Sequence, residues 1–292
     1  MRKQDIQSYL GVLVAVLIGA GLAWAGSQGS VSTLWGVPLF AACVIIAFAI
    51  QWVVYVPSLA ARTEKYYDLT GSLTYAVVIV TALVTTAQFD TRSVVLAALV
   101  LVWAFRLGLY LARRVRKAGE DKRFREIKRS PSRFLLAWTL QGLWVSFTAA
   151  AALAAIAAGR PGELGMLGMA GVGVWAIGFA FEVIADLEKS RFTADPANRS
   201  RFITTGLWSL SRHPNYFGEI VLWVGVAMIA FPSLAGWSLL TLISPLFVAV
   251  LLTRISGVPL LEQSADERWG GQDDYEQYKQ ATPVLIPKLP FW

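Results

Sequence analysis

The chain has 292 residues, 56% of them hydrophobic, and a net charge of +7, with a mean hydropathy of +0.54. That is too apolar for a soluble domain and points to a protein that crosses a bilayer several times. One cysteine, Cys43, and one histidine, His213, exclude an intrachain disulfide framework and argue against a zinc or haem centre. Nucleic-acid binding is rejected too, because the basic residues fall in loops between apolar runs, where positive charge sets membrane orientation.

A run of about 20 apolar residues is long enough to span a bilayer. Eight such runs occur, at about 9–25, 34–56, 69–87, 94–111, 134–158, 164–185, 216–231 and 237–260. They predict an all-α polytopic bundle of about eight transmembrane helices. The last two runs are parted only by Phe231-Pro232-Ser233 and are expected to form a helical hairpin.

Loop charges alternate. Arg2 and Lys3 precede the first run, and Arg62 and Lys65 follow the second. Ten basic residues lie between Arg113 and Arg133, and Lys189, Arg191, Arg199, Arg201 and Arg212 follow the sixth run. The other side carries only Arg92 and Arg160. The positive-inside rule then places both termini in the cytoplasm, in the inner membrane if the cell is bacterial. Arg2-Lys3, the first apolar run and Ala23-Trp24-Ala25 also read as a signal peptide, whose cleavage would leave seven spans. The organisation expected is one integral-membrane domain over 1–292, with residues 9–25 as an accessory N-terminal helix.

Polar groups inside or beside the spans are functional-site candidates, because burying them in lipid is costly. At the start of the third span, Asp68, Ser72 and Tyr75 share one helical stripe, with Glu64 and Tyr67 close by. Asp68 either caps that helix or acts as a proton donor at a pocket mouth. Arg106 sits about two turns inside the fourth span, where it either snorkels to the interface or meets a carboxylate or phosphate. Gly108 beside it allows another helix to come close. The loop from Arg113 to Arg133 reads as an amphipathic segment resting on anionic lipid. Glu182 and Asp186, four residues apart at the end of the sixth span, share a helix face.

The densest cluster is Ser211-Arg212-His213-Pro214-Asn215-Tyr216-Phe217-Gly218-Glu219. Pro214 suits the first turn of a helix, with Ser211 or His213 as its cap. Asn215 and Tyr216 then lie in a first turn whose amides favour an anion, and Glu219 lies one turn deeper. Neither a dinucleotide fingerprint, a P-loop nor a nucleophile elbow is present. Any nucleotide must therefore bind within a helical bundle.

Gly206-Leu207-Trp208, the Ser211–Glu219 element and the Trp223-containing span that follows resemble the C-terminal domain of membrane steroid 5-alpha-reductases. Their bacterial relatives of unassigned function are the nearest in kind. The wider superfamily includes sterol reductases and isoprenylcysteine carboxyl methyltransferases. The resemblance runs from Glu182 to the C-terminus, weakens from Asp68 to Arg106 and is absent in the first span. It implies a reductase-like helical core over 64–292 that binds NADPH from the cytoplasmic side. The implied cofactor residues are Arg106, Glu182, Asp186, Arg201, Asn215 and Glu219, with Arg191, Arg212, His213 and Tyr216 around them. Glu262, Tyr275 and Tyr278 occupy the region of the family's C-terminal cofactor residues without matching them. By spacing from Arg106, the family's Gln-Glu substrate pair falls on Asp68-Leu69 and its Tyr on Trp103.

The function expected is reduction of an activated C=C bond in a lipophilic enone, such as a 3-oxo-4-ene steroid, entering from the bilayer. Asp68, Tyr67, Tyr75 or Glu64 would supply the donor to the developing enolate. An S-adenosylmethionine-dependent methyltransferase of the isoprenylcysteine type is the first rival. A lipid-binding membrane protein without enzymatic activity is the second, and it predicts polar groups spread along a path across the bilayer.

Overall fold

In hydrocarbon each backbone amide must find its partner within the chain, so long apolar runs become helices. The computed structural model, which describes residues 3–86, 89–118, 124–160 and 162–288, is helical throughout its long elements. In chain order these are α1 (Lys3–Ser27), α2 (Leu39–Ala60), α3 (Tyr67–Thr86), α4 (Thr91–Ala118), α5 (Pro131–Thr148) and α6 (Ala150–Ala157). There follow α7 (Gly165–Ala194), α8 (Pro214–Ala230), α9 (Ser244–Val250), α10 (Val258–Trp269) and α11 (Asp273–Ala281). Among the described residues seven helices are long and apolar enough to cross a membrane, or eight if α5 and α6 count as one bent span. The protein is thus the polytopic helical bundle that its hydropathy predicts.

Three spans depart from the expected outline. The second was expected from residue 34, but Thr33–Leu34 pairs antiparallel with Val37–Pro38. Trp35 and Gly36 at the turn have φ of 55° and 76°, the paired positive values that a two-residue hairpin turn needs. The helix therefore starts only at Leu39. The fifth span, expected as one rod over 134–158, bends by 58° between α5 and α6. At the break the Ser244 hydroxyl donates to the Thr148 carbonyl at 2.5 Å, and such an inserted side chain is a recognised cause of kinks. Every residue of α6 is buried; its small alanines let neighbours approach closely. The last span is irregular: a 3-10 segment (Gly236–Ile243) leads into α9, and a π-turn (Leu251–Ile255) separates α9 from α10. The break at Phe231–Ser233 lies where it was expected.

The chain forms two compact units, Met1–Gly168 with Ala227–Ser244, and Met169–Val226 with Pro245–Trp292. In the first, Tyr67, Phe124, Phe134 and Trp138 form a buried aromatic cluster. Gln51, fully buried on α2, donates to Thr74 on α3 at 2.7 Å. Arg92 ties two connections, donating to Ser233 Oγ at 2.9 Å and to the Glu163 carbonyl at 2.7 Å. In the second unit α7 packs on α8 through glycines. A Cβ on Gly218 would come within 2.5 Å of the Gly178 carbonyl oxygen, and one on Gly225 within 2.6 Å of that of Gly171.

Candidate functional site

The close approach of α7 and α8 brings their polar residues together. Glu182 and Asp186 on α7 are buried, and Asn215 in the first turn of α8 donates from Nδ2 to Asp186 Oδ1 at 3.1 Å. Pro214 opens α8, as its missing amide predicts. The His213 carbonyl accepts from the Phe217 amide, and the His213 amide donates to Ser211 Oγ at 3.2 Å. His213 is therefore the N-cap by its backbone, with Ser211 bracing it, while the imidazole is used elsewhere.

That imidazole meets α10. Its Nε2 lies 2.8 Å from Glu262 Oε1, and Arg212 Nη1 lies 2.6 Å from Glu262 Oε2. One carboxylate thus engages two consecutive residues of the motif. Burial holds the His213 pKa below the ordinary histidine value, and the hydrogen bond to Glu262 only partly offsets this. The neutral ring then donates from Nε2 and carries a lone pair on Nδ1. Nδ1 of His213 and Nε of Arg212 are buried without a hydrogen-bond partner among the described residues. On its other side the His213 ring stacks on Tyr216, 5.7 Å between centroids. The C-terminal tail braces the motif: Arg212 N donates to the Pro283 carbonyl at 2.9 Å, and Ser211 Oγ to the Leu285 carbonyl at 2.8 Å.

Beside the His213–Glu262 contact lies a cavity of about 220 Å³, wholly within the second unit. Of the predicted residues, Arg201, Arg212, His213, Glu262, Tyr275 and Tyr278 line it. Lys189, Phe202, Trp208, Arg268 and Trp269 join them. Phe202 is the aromatic hub, with ring centroids 5.7 Å from Trp269, 5.2 Å from Tyr275 and 5.6 Å from Tyr278. Lys189 Nζ sits 4.4 Å over the Trp208 ring, a cation–π distance. Tyr278 donates to the Trp208 carbonyl at 2.7 Å, and burial pushes its hydroxyl pKa up to about 12. Tyr275 donates to Asp266, which also accepts from Lys279. The lining holds four basic side chains and one carboxylate, Glu262. Such a site suits a ligand that is planar, aromatic and anionic.

Glu182, Asp186, Arg191, Asn215, Tyr216 and Glu219 do not line this cavity. Arg191 is exposed, whereas Asn215, Tyr216 and Glu219 are half-buried. Of the residues that sequence reasoning missed, Phe202 lies next to Arg201, which it named, whereas Arg268 and Trp269 adjoin none. Arg201-Phe202 and Arg268-Trp269 are basic–aromatic pairs, and that juxtaposition is the signal that would have found them. Glu188 was also missed; it accepts from the Leu207 amide at 3.0 Å and so holds the turn that carries Trp208.

The remaining predicted residues belong to the first unit. Glu64 is buried and pairs with Lys128 at 2.7 Å. Tyr67 donates to the Ala137 carbonyl at 2.9 Å with its ring in the aromatic cluster. These contacts hold α3 to the segment around α5. Asp68 lies in the first turn of α3. Tyr75 meets Trp103 edge-on at 5.1 Å, and Arg106 lies 5.5 Å from the Tyr110 ring. Gly108 allows the expected close approach, since a Cβ there would sit 2.7 Å from Ser72. The expected lipid-facing role of the loop from Arg113 to Arg133 rests largely on side chains 114–123, which lie outside the described residues.

Residues 52–282, more than half of the chain, match the family described as "Protein of unknown function (DUF1295)". Over 66 residues the chain is 30% identical to "Probable O-methyltransferase ustE" of Ustilaginoidea virens. That match covers 23% of this chain and 23% of the relative, so the chain spans less than a quarter of the curated relative's length. No solved structure matches the chain.

Proposed function

This chain belongs to the family described as "Protein of unknown function (DUF1295)", and we propose that it is a multi-pass membrane reductase using NADPH to reduce an activated C=C bond in a lipophilic enone. The observation that carries this reading is the cavity of the second unit, where four basic side chains and an aromatic hub face one carboxylate. Phosphate groups suit such a lining, because charge-assisted bonds from Arg and Lys to phosphate are among the strongest polar contacts. S-adenosylmethionine carries a sulfonium cation and suits it less. The buried, unpartnered Nδ1 of His213 and Nε of Arg212 add support, since buried polar atoms left unbonded in a native fold call for an explanation.

A bound nicotinamide dinucleotide supplies the hydride. Arg201, Arg212 and Arg268 would hold its phosphates, with Phe202, Trp208 and Tyr278 against its base. Reduction of an enone also needs a donor for the developing enolate, best placed before reaction in a site that excludes water. Asp68, Tyr67, Tyr75 or Glu64 would supply that donor. The substrate would enter from the bilayer, and the nucleotide from the cytoplasm.

The match to a protein named as an O-methyltransferase favours a second reading, an S-adenosylmethionine-dependent methyltransferase. One assay separates the two. Detergent-solubilised protein is melted with NADPH, NADH or S-adenosylmethionine. A ligand at 100 times its Kd adds about 2.7 kcal/mol to stability. A raised Tm with NADPH is expected; a raised Tm with S-adenosylmethionine alone overturns the reductase reading.

A further inference from the structure

We propose that α2, α3 and α5 enclose a file of water molecules, held by the side-chain carbonyls of Gln51 and Gln141, that enters the first unit beside Glu64 and stops in its apolar core. The file does not depend on the reductase reading.

The amide orientations come first. Gln51, fully buried on α2, donates from Nε2 to Thr74 Oγ1 at 2.7 Å, and the Thr74 hydroxyl donates to the Thr70 carbonyl at 2.7 Å. The Thr74 proton is thus committed, and its oxygen can only accept from Gln51. Gln141, buried on α5, donates from Nε2 to the Tyr67 carbonyl at 3.1 Å, which likewise can only accept. Chemistry therefore turns both amides nitrogen-first against α3. Gly71 makes the seat, since a Cβ there would come within 2.6 Å of Gln141 Nε2. Tyr67, Gly71 and Thr74 lie on one stripe of α3, so both glutamines reach the same face.

Both Oε1 atoms are left over. Each is buried without a hydrogen-bond partner among the described residues, and so are Ser58 Oγ and Trp138 Nε1. Ser58 shares a face of α2 with Gln51, and Trp138 shares a face of α5 with Gln141. The seam therefore offers two carbonyl acceptors, an indole N–H and a hydroxyl. A buried acceptor without a donor carries its full desolvation cost, and a buried Trp N–H usually finds a partner. Water matches this set, because it both donates and accepts and needs two to four polar partners in an interior.

The two ends differ. At one, Glu64 pairs with Lys128, whose side chain reaches solvent. At the other, the same helix faces continue as Val44, Phe48, Val78 and Ala82, all buried, and the Cys43 thiol bonds to the Val78 carbonyl at 3.6 Å. Gln51 precedes the end of α2 at Ala60 by a stretch of helix roughly 14 Å long. The file is thus blind: it supplies water and protons to the interior of the first unit and gives no passage across it.

The test is X-ray hydroxyl-radical footprinting of the full-length protein in detergent, in which radicals form within bound water and oxidise the side chains beside it. Oxidation rates are read by mass spectrometry relative to the unfolded chain. Trp138 and Phe40 are both fully buried, but only Trp138 lies on the seam. In the parent Trp138 is expected to be oxidised well above Phe40. Gln141→Leu is expected to reduce its oxidation to the Phe40 level, and Gln51→Leu to lower it. A cooperative melt of each variant reports its folding, and the parent comparison decides the question even where a variant does not fold. Protection of Trp138 equal to that of Phe40 in the parent overturns the file. Oxidation of Trp138 at the parental rate in both folded variants overturns it too.

Discussion

The imidazole of His213 and the carboxylate of Glu262 meet at 2.8 Å, although they belong to segments 49 residues apart. The contact joins the start of α8 to α10, the helix beyond the π-turn. It also makes stability depend on pH. Burial lowers the His213 pKa in the folded protein, so below about pH 6.5 the unfolded chain binds a proton that the folded chain resists. Stability should therefore be flat above neutrality and fall as the pH drops below about 6.5. Melting curves between about pH 7.5 and pH 5.5 check this. His213→Gln should flatten the slope, and an identical slope in that variant would assign the effect to other groups.

Gly218 and Gly225 lie seven residues apart on α8, each against the backbone of α7. A methyl group at Gly218 would approach the Gly178 carbonyl oxygen to 2.5 Å and the Glu182 amide to 2.6 Å. Backbone cannot swing aside as a flexible side chain can, so the two helices must separate. Gly218→Ala is expected to cost about 1–3 kcal/mol and to weaken nucleotide binding through the displaced Asp186–Asn215 pair. Gly21→Ala is the control: nothing lies within 4 Å of its new methyl, and in a helix the change should stabilise by roughly 0.4–1 kcal/mol. Thermal or urea unfolding of both variants measures the contrast.

Asp186 and Asn215 bond to each other outside the cavity, and Glu219 lies one turn further along α8. If the dinucleotide extends from the cavity towards these helices, Asn215→Ala, Glu219→Ala and Asp186→Ala should each raise the NADPH Kd roughly 10- to 100-fold. Titration of NADPH against each variant reads this directly. NADPH binding at the parental Kd in all three would place the nicotinamide end elsewhere.

Hydropathy made the bundle legible, because a bilayer leaves a long apolar run little choice but a helix. It did not reveal the bend after Thr148, where a hydroxyl from Ser244, 96 residues away, takes the carbonyl. Nor did it reveal the hairpin at 33–38, because Leu34, Val37 and Pro38 read as apolar whether in strand or helix. The Ser211–Glu219 motif was legible because its residue types carry local rules: Pro214 opens a helix and Asn215 sits in its first turn. The cavity was legible only in part. Arg201, Tyr275 and Tyr278 converge through the fold of α10 and α11 onto the loop before α8, and no local spacing records that convergence. Lys189 and Trp208 likewise join across a loop held by Glu188.

Asp68 is where the structural and chemical readings diverge most. It sits in the first turn of α3, where a negative charge favours the helix by about 0.3–1 kcal/mol. It is also, with Ser72 and Tyr75, on the stripe that faces Trp103 and Gly108 of α4. Asp68→Asn separates the two roles. A purely structural carboxylate predicts a loss of stability of that size and unchanged turnover. A proton donor predicts retained NADPH binding and a fall in turnover of about 10²–10³, the usual loss for one preorganised donor, because an amide cannot pass a proton to an enolate. The measurement is enone-dependent NADPH oxidation at saturating cofactor in parent and variant. We expect the fall. Equal rates would assign Asp68 to the helix terminus and move the donor to Tyr67, Tyr75 or Glu64.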